Sequence, residues 1–303
     1  MIKSERSHVY LILSDIHADV QALNSIIGIM NDPAFKKRYG SVDKIINLGD
    51  TMGRGYNPVG VIERLMGLGK VINLVSIMGN HDESFLYDLP VSRDDEDCIR
   101  VHKEFKNTAI SGSHLQKACL DFLKNLPQYY ADKEEKILAV HGGTLDPEKI
   151  APSGPEDYDK WLYQMTWQRI SEHDFEYLDD SGYHYLPENA FLHTREFFDN
   201  GFIIFCGHQH TEAVYRNKGM KTELISDDCM KVRMEEFARR MVQVKELERE
   251  RTANYLIRVG IAGPAGYYKR YGWNKTHFGL LWREKGTQKV GLFNTNVNRK
   301  NRQ

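Results

Sequence analysis

Residues 9–17 read Val-Tyr-Leu-Ile-Leu-Ser-Asp-Ile-His, and residues 202–210 read Phe-Ile-Ile-Phe-Cys-Gly-His-Gln-His. Each is a short, unbroken apolar run that stops at side chains able to bind a cation. A run of this length bounded by turn residues predicts a strand buried on both faces. Three further stretches repeat the layout. Lys44 to Leu48 ends in Gly49-Asp50, Val71 to Met78 in Gly79-Asn80-His81-Asp82, and Lys136 to Val140 in His141-Gly142-Gly143.

Between these runs lie apolar residues at helical spacing. Val20, Leu23, Ile26, Ile27 and Met30 predict one helix, and a second is expected from about Pro58 to Leu68. Strand and helix alternate, so the chain is expected to be α/β with βαβ units. Ligands of such sheets gather at the carboxyl ends of the strands, so the five turns should converge on one site.

Beyond this frame the chain reads as one domain over residues 1–303, with insertions at about 83–130 and 144–200. Residues 97–125 are expected to be helical. The second insertion is aromatic, with Tyr158, Trp161, Tyr163, Trp167, Phe175, Tyr177, Tyr183 and Tyr185, and reads either as a lid that stacks a base or as ordinary core. Residues 229–251 are highly charged, with Met230, Met234, Phe237, Met241, Val244 and Leu247 at near-helical intervals. That rhythm predicts an amphipathic helix whose adaptable, Met-rich stripe would suit a homo-oligomer contact.

The composition narrows the partners. The formal net charge is -1, and 27% of the residues are charged. Bulk electrostatics therefore gives no reason to expect nucleic-acid or membrane-surface binding. Cys98, Cys119, Cys206 and Cys229 are scattered without a Cys-x-x-Cys pair, which fits a reducing cytoplasm. The N-terminal stretch lacks the layout of a signal peptide, and no apolar run approaches the roughly 18 residues that span a bilayer.

The chemistry follows from the residue types. Carboxylate and imidazole suit manganese, iron and zinc, and an Asn oxygen extends the set toward harder ions. The turns offer Asp15, His17, Asp50, Asn80, His141, His208 and His210. Seven donors exceed what one ion uses if water also binds. Two ions about 3.5–4 Å apart, sharing a carboxylate, would use them all. Five of the twelve histidines fall in these turns, and the rest (His8, His102, His114, His173, His184, His193 and His277) read as structural or surface residues.

The five turns resemble those of the calcineurin-like metallophosphoesterases, over about residues 8 to 295. The resemblance implies a four-layer α/β/β/α sandwich with two central mixed sheets. It implies hydrolysis of a phosphate ester by a hydroxide bridging two divalent ions. Residue by residue, Asp15, His17 and His210 resemble ligands of the first metal and Asp50 the bridging carboxylate. Asn80, His141 and His208 resemble ligands of the second metal, and His81 the catalytic histidine of the Gly-Asn-His-Asp/Glu motif. Manganese is the expected metal, with iron and zinc as alternatives.

The subfamily signal is mixed. Gly49-Asp50-Thr51-Met52-Gly53-Arg54-Gly55 is similar to the Gly-Asp-x-x-Asp-Arg-Gly motif of the Ser/Thr protein phosphatases, in which the arginine grips the phosphate. Trp167-Gln168-Arg169 is similar to a segment of the bacterial and phage members that supplies a second such arginine. Gly53 departs from the pattern: the acid expected there supports the catalytic histidine. Ser14 to Leu23, Gly55-Tyr56-Asn57-Pro58 and the turn Val259 to Tyr267 resemble instead small bacterial metallophosphatases and phosphodiesterases, and that last turn is expected to close the second sheet. The expected function is a phosphomonoesterase acting on a phosphoprotein or a small phosphate ester. The alternatives are a phosphodiesterase or nucleotide hydrolase and, more remotely, a non-catalytic scaffold that binds partners.

Overall fold

The computed structural model describes residues 8–89, 94–112, 114–143, 166–172, 184–297 and 299. The chain opens with β1 (Tyr10–Leu13), α1 (Val20–Asn31), α2 (Pro33–Tyr39), β2 (Lys44–Asn47), α3 (Pro58–Gly69) and β3 (Asn73–Ser76). Then come α4 (Asn80–Tyr87), α5 (Glu96–Ser111), α6 (His114–Lys124), β4 (Tyr130–Asp132), β5 (Ile137–Ala139), β6 (Arg169–Ile170) and β7 (His184–Tyr185). They are followed by α7 (Pro187–Thr194), β8 (Ile203–Cys206), β9 (Ala213–Lys218), β10 (Lys221–Leu224), β11 (Lys231–Phe237) and β12 (Arg240–Glu248). The last elements are β13 (Asn254–Arg258), α8 (Ala265–Tyr271), β14 (Lys275–Glu284) and β15 (Thr287–Asn296).

Local chemistry sets the helix starts. Asp19 accepts from the Ala22 N–H at 3.1 Å to cap α1, and Asn57 accepts from the Gly60 N–H at 2.9 Å to cap α3. Pro33 and Pro58 occupy first-turn positions of α2 and α3, where a missing N–H costs nothing.

The strands form two large mixed sheets, in the orders β11-β12-β15-β14-β1-β2-β3 and β10-β9-β13-β8-β5-β4. Each holds three parallel strands: β1, β2 and β3 along one side of the first sheet, and β5, β8 and β13 in the middle of the second. Alternation along the strands builds the layers. Leu11 and Leu13 face Leu23, Ile26, Val61 and Leu65 of the helices. Tyr10 and Ile12 face the other way, onto Ile137, Phe205 and Ile257 of the second sheet. Leu138, Ile204 and Leu256 then pack on Ala190 and Phe191 of α7. The result is the four-layer α/β/β/α sandwich with two central mixed sheets. Among the described residues no helix is long and apolar enough to cross a membrane.

The helix expected at 229–251 is not there. After a short turn at Asp227–Cys229, the segment is the antiparallel hairpin β11–β12 at the edge of the first sheet. The near-helical spacing of Met234, Phe237 and Met241 was coincidental: Met234 and Met241 are exposed. The deciding pattern has period two, with Val242 and Val244 buried against Phe35 and Phe237 while Gln243 and Lys245 alternate between them. The turn gives no warning, because Ala238 and Arg239 take φ values of 50° and 58° where Asn or Gly is usual. The proposed oligomer stripe therefore loses its basis.

Residues 97–125 form the α5–α6 pair, as expected. Of the aromatic insertion, Tyr158, Trp161, Tyr163, Phe175, Tyr177 and Tyr183 lie outside the described residues. Tyr185 is buried, and its hydroxyl donates to the Gly142 carbonyl at 2.9 Å.

Candidate metal centre

The five expected turns follow β1, β2, β3, β5 and β8, all of them members of the two parallel sets. The turn after the sixth such strand, β13, joins the two sheets over the same end. Ala262 and Gly263 donate their N–H groups to the carbonyls of Ser14 and Asp15, each at 2.9 Å, and Ile261 donates to the His210 carbonyl at 3.1 Å. The segment expected to close the second sheet thus ties it to the first.

Asp15, His17, Asp50, His208 and His210 all have left-handed backbone, with φ between 46° and 65°. Such φ values are uncommon outside glycine and mark sites where packing overrides local preference. The crowding has a cause. Gly49 lies so near Gly79 that a Cβ on it would meet the Gly79 nitrogen at 2.5 Å, so the turns after β2 and β3 interlock through bare backbone. This brings Asp50 and Asn80 together.

The side chains fall into two groups that share Asp50. Asp15, His17, Asp50 and His210 form one, and Asp50, His141 and His208 the other, each with its donor atoms within 4.8 Å of one another. Asn80 joins the second: its Oδ1 lies 3.0 Å from His141 Nε2 and 2.9 Å from His208 Nδ1. In the first, His17 Nε2 and His210 Nε2 are 3.0 Å apart, and His210 Nε2 is 3.3 Å from Asp15 Oδ1.

Backbone contacts aim these groups. His17 Nδ1 and His141 Nδ1 sit 3.0 and 2.8 Å from the carbonyls of Met52 and Leu48, which places their N–H on Nδ1 and leaves Nε2 as a lone-pair donor. Asp15 Oδ2 accepts from Ser14 Oγ at 2.5 Å and from the His208 N–H at 3.1 Å. Asp50 Oδ1 accepts from the His81 N–H at 2.8 Å and lies 3.3 Å from His141 Nε2, while Oδ2 lies 3.7 Å from His17 Nε2. Asp50 therefore turns one oxygen toward each group.

The set fits divalent cations. Asp15 Oδ1, Asp50 Oδ2 and His208 Nε2 are buried and have no hydrogen-bond donor or acceptor. Burying such atoms unpaired is costly, whereas a cation would satisfy both carboxylate oxygens. The electrostatics agree. Burial drives His17 down to about 4, and His81 and His208 well below the usual histidine range, so these imidazoles are neutral. Burial also opposes ionisation of Asp50, but His141, 3.3 Å away, outweighs it. Burial opposes the His141 charge too, yet the carboxylates of Asp50 and Asp15 raise it to about 9, a positive charge that a cation would replace.

His81, 5% exposed, packs edge-on to His17 with ring centroids 4.8 Å apart. Gly53, at φ 78°, lies against it: a Cβ there would meet His81 Nδ1 at 2.1 Å. An acid at 53 has no room on this backbone, and Asp82 does not replace it. Asp82 accepts instead from the Met52 and Gly79 N–H groups at 2.9 and 3.0 Å, fastening the two interlocked turns. His102, read from the sequence as merely structural, accepts from the Gly53 N–H at 3.0 Å and so buttresses the loop.

Arg54 stands at the mouth of the site, where its charge is felt by both His17 and His81. Its guanidinium lies over the Tyr267 ring at 5.8 Å, and its Nη1 is 3.3 Å from Asp94 Oδ1. Arg169, on β6, lies on the other side, near enough to depress His208 further. Gln209 holds that strand by accepting from the Ile170 N–H at 2.9 Å and donating to the Ile170 carbonyl at 3.1 Å. Asp94, Gln209 and Tyr267 were not singled out in the sequence. Gln209 carried a signal as the residue enclosed by His208 and His210, and Tyr267 as the last residue of the Val259–Tyr267 turn.

Comparison with known proteins agrees with this geometry. The sequence model of the calcineurin-like phosphoesterase family matches residues 8–212, more than half of the chain. An uncharacterised Methanocaldococcus jannaschii protein, MJ0912, is 25% identical over 223 residues, covering 72% of this chain and 68% of that one. The crystal structure of a metallophosphoesterase from Sphaerobacter thermophilus is 20% identical and superposes with a TM-score of 0.54, covering 96% of this chain and 89% of its own; it supports the fold. A hypothetical protein from Pyrococcus horikoshii OT3, PH1004, is 15% identical with a TM-score of 0.49, covering 97% of this chain and 89% of its own. With its sandwich fold and a cluster of His and Asp groups able to hold metal, the chain belongs to the calcineurin-like phosphoesterases, metal-dependent hydrolases of phosphoester bonds.

Proposed function

We propose that this hydrolase is a phosphomonoesterase working with two divalent ions, manganese in the first instance, with iron or zinc accepted by the same donors. Asp15, His17, His210 and Asp50 would hold one ion, and Asp50, Asn80, His141 and His208 the other. When bound, the ions supply the Lewis acidity that makes water a nucleophile near neutral pH and offsets charge on the phosphoryl group. The observation that carries the reading is Asp50, with one oxygen facing each group.

The remaining roles belong to side chains. Arg54 can offer two parallel N–H groups to the outer oxygens of a terminal phosphate, a geometry that suits a dianionic monoester. Arg169 would approach the same phosphate from the His208 side. His81 is neutral and, among the described residues, no side-chain carboxylate bonds its Nδ1, so its remaining N–H would donate a hydrogen bond to the leaving oxygen. The substrate partner is then a phosphorylated molecule, peptide or small ester. Free cysteines at 98, 119, 206 and 229 accord with a reducing, cytoplasmic setting.

One observation favours the second reading, a phosphodiesterase. The Asp94 carboxylate beside Arg54 offsets part of its charge, which would suit a monoanionic diester. Turnover of p-nitrophenyl phosphate and bis-p-nitrophenyl phosphate separates the two. The monoester should have the higher kcat/KM, and Arg54→Ala should lower it about 10- to 100-fold, well beyond its effect on the diester. A higher diester kcat/KM with equal losses would establish the second reading, and turnover of neither would leave the scaffold.

A further inference from the structure

Beside the metal centre lies an aromatic surface that the phosphoryl chemistry does not use. The Tyr267 ring meets the His210 ring edge-on, with centroids 5.2 Å apart. Trp273 stacks on Tyr267 at 5.2 Å and 23°, and Tyr271 lies nearly parallel to Tyr267 at 6.3 Å. The shelf thus begins at a candidate ligand and runs outward. Its outer rings stay open: Tyr271 is 57% exposed and Trp273 45%. With Arg54 and Arg270 these rings line a pocket of about 250 Å³. The shelf is fixed to the site, since the Gly263 N–H leading into α8 binds the Asp15 carbonyl. Gly266 lets α8 approach closely: a Cβ there would meet the Arg54 carbonyl at 2.4 Å.

We propose that Tyr267, Tyr271 and Trp273 form a stacking platform for the base of a nucleotide whose terminal phosphate is the group hydrolysed. This rests on the phosphomonoesterase reading, which seats the phosphate between the metal ligands and Arg54. Flat faces with open edges suit a base, because every base offers a π-face and stacking tolerates its identity. The position also fits. A phosphotyrosine ring is joined directly to the ester oxygen and would stop near Tyr267. A base is held one sugar farther out, and the shelf continues outward from Tyr267 to Trp273. Arg270, whose guanidinium lies 5.9 Å from the Tyr271 ring centroid, adds a cation at the outer end, where it can attract the π-face of a base.

The test compares adenosine 5′-monophosphate with ribose 5-phosphate, which keeps the phosphate and sugar but lacks the base, using the manganese-loaded protein. The nucleotide should have the higher kcat/KM. Trp273→Ala should reduce that preference about 5- to 100-fold, and Trp273→Phe, which keeps a stacking ring, should restore most of it. Equilibrium dialysis with adenosine gives a readout without phosphate chemistry: binding should be weaker to Trp273→Ala than to wild type. Adenosine binding lost in Trp273→Ala, with phosphate released from no monoester, would keep the platform and reject the monoesterase reading. Equal kcat/KM for the two phosphates together with adenosine binding unchanged in Trp273→Ala would overturn the platform. So would a phosphotyrosine peptide that surpasses every nucleotide and depends on Trp273.

Discussion

Asp50 is the residue on which the two ligand groups depend, and its environment explains how it stays ionised in the interior. The His81 backbone N–H fixes one oxygen, and the His141 imidazole outweighs the cost of burial. His81 is the residue whose role is most open to test. With a neutral ring and, among the described residues, no carboxylate bonded to its Nδ1, it should matter in proportion to how much the leaving oxygen needs a proton. His81→Ala is expected to slow an alkyl phosphate about 100-fold or more and p-nitrophenyl phosphate much less, since p-nitrophenolate leaves without protonation. Equal losses would assign His81 to positioning instead. The seven candidate ligands were legible because each lies within four residues of the end of an apolar run. Asp94 was not, since the fold brings it to Arg54 from 40 positions away without a motif, and Tyr267 closed a recognised turn whose approach to Arg54, 213 positions away, no spacing foretells.

At the scale of elements, the turns carry the design. Their left-handed residues put costly backbone where donor atoms must point inward, and Gly49, Gly53 and Gly79 supply the close approaches. Gly53→Ala should therefore destabilise the protein by more than about 1 kcal/mol, because it adds both strain at positive φ and a clash with His81. Activity should fall with it, as seen in parallel measurements of melting temperature and kcat. The β11–β12 hairpin offers the converse experiment. Ala238→Gly relieves a left-handed alanine far from the centre and should stabilise by up to about 1 kcal/mol without a change in kcat. The same hairpin shows why part of the fold was illegible. Its buried face carries only Val242 and Val244 in clear alternation, and its turn uses Ala and Arg, so a spurious helical rhythm was the stronger local signal.

At the scale of the molecule, the function requires two sheets to stay in register, because β1, β2 and β3 carry one part of the ligand set and β5 and β8 the other. One polar tie between the sheets can be tested by acid. Lys44 of β2 reaches Asp132 of β4 at 2.7 Å, and Tyr130 donates to the same oxygen at 3.1 Å. Burial would raise the Asp132 carboxyl, but the Lys44 bond and its partners bring it below its ordinary 3.8. A carboxyl lowered in this way contributes stability above its unfolded pKa, and the contribution is lost as the pH falls through the folded value. Asp132→Asn should cost about 1–3 kcal/mol at pH 7 in denaturant titrations, with the difference from wild type shrinking below pH 3.8. The layered fold itself was legible from runs such as β1, β5 and β8, which are apolar throughout and buried at every residue. The claim on which the rest stands is that the two groups hold two ions through one shared carboxylate. Metal content of protein purified without chelator, wild type beside Asp50→Asn, tests it most directly. The account predicts about two divalent ions per chain in the wild type and loss of both in the variant. A wild type that carries none, or a variant that keeps both ions, would contradict it.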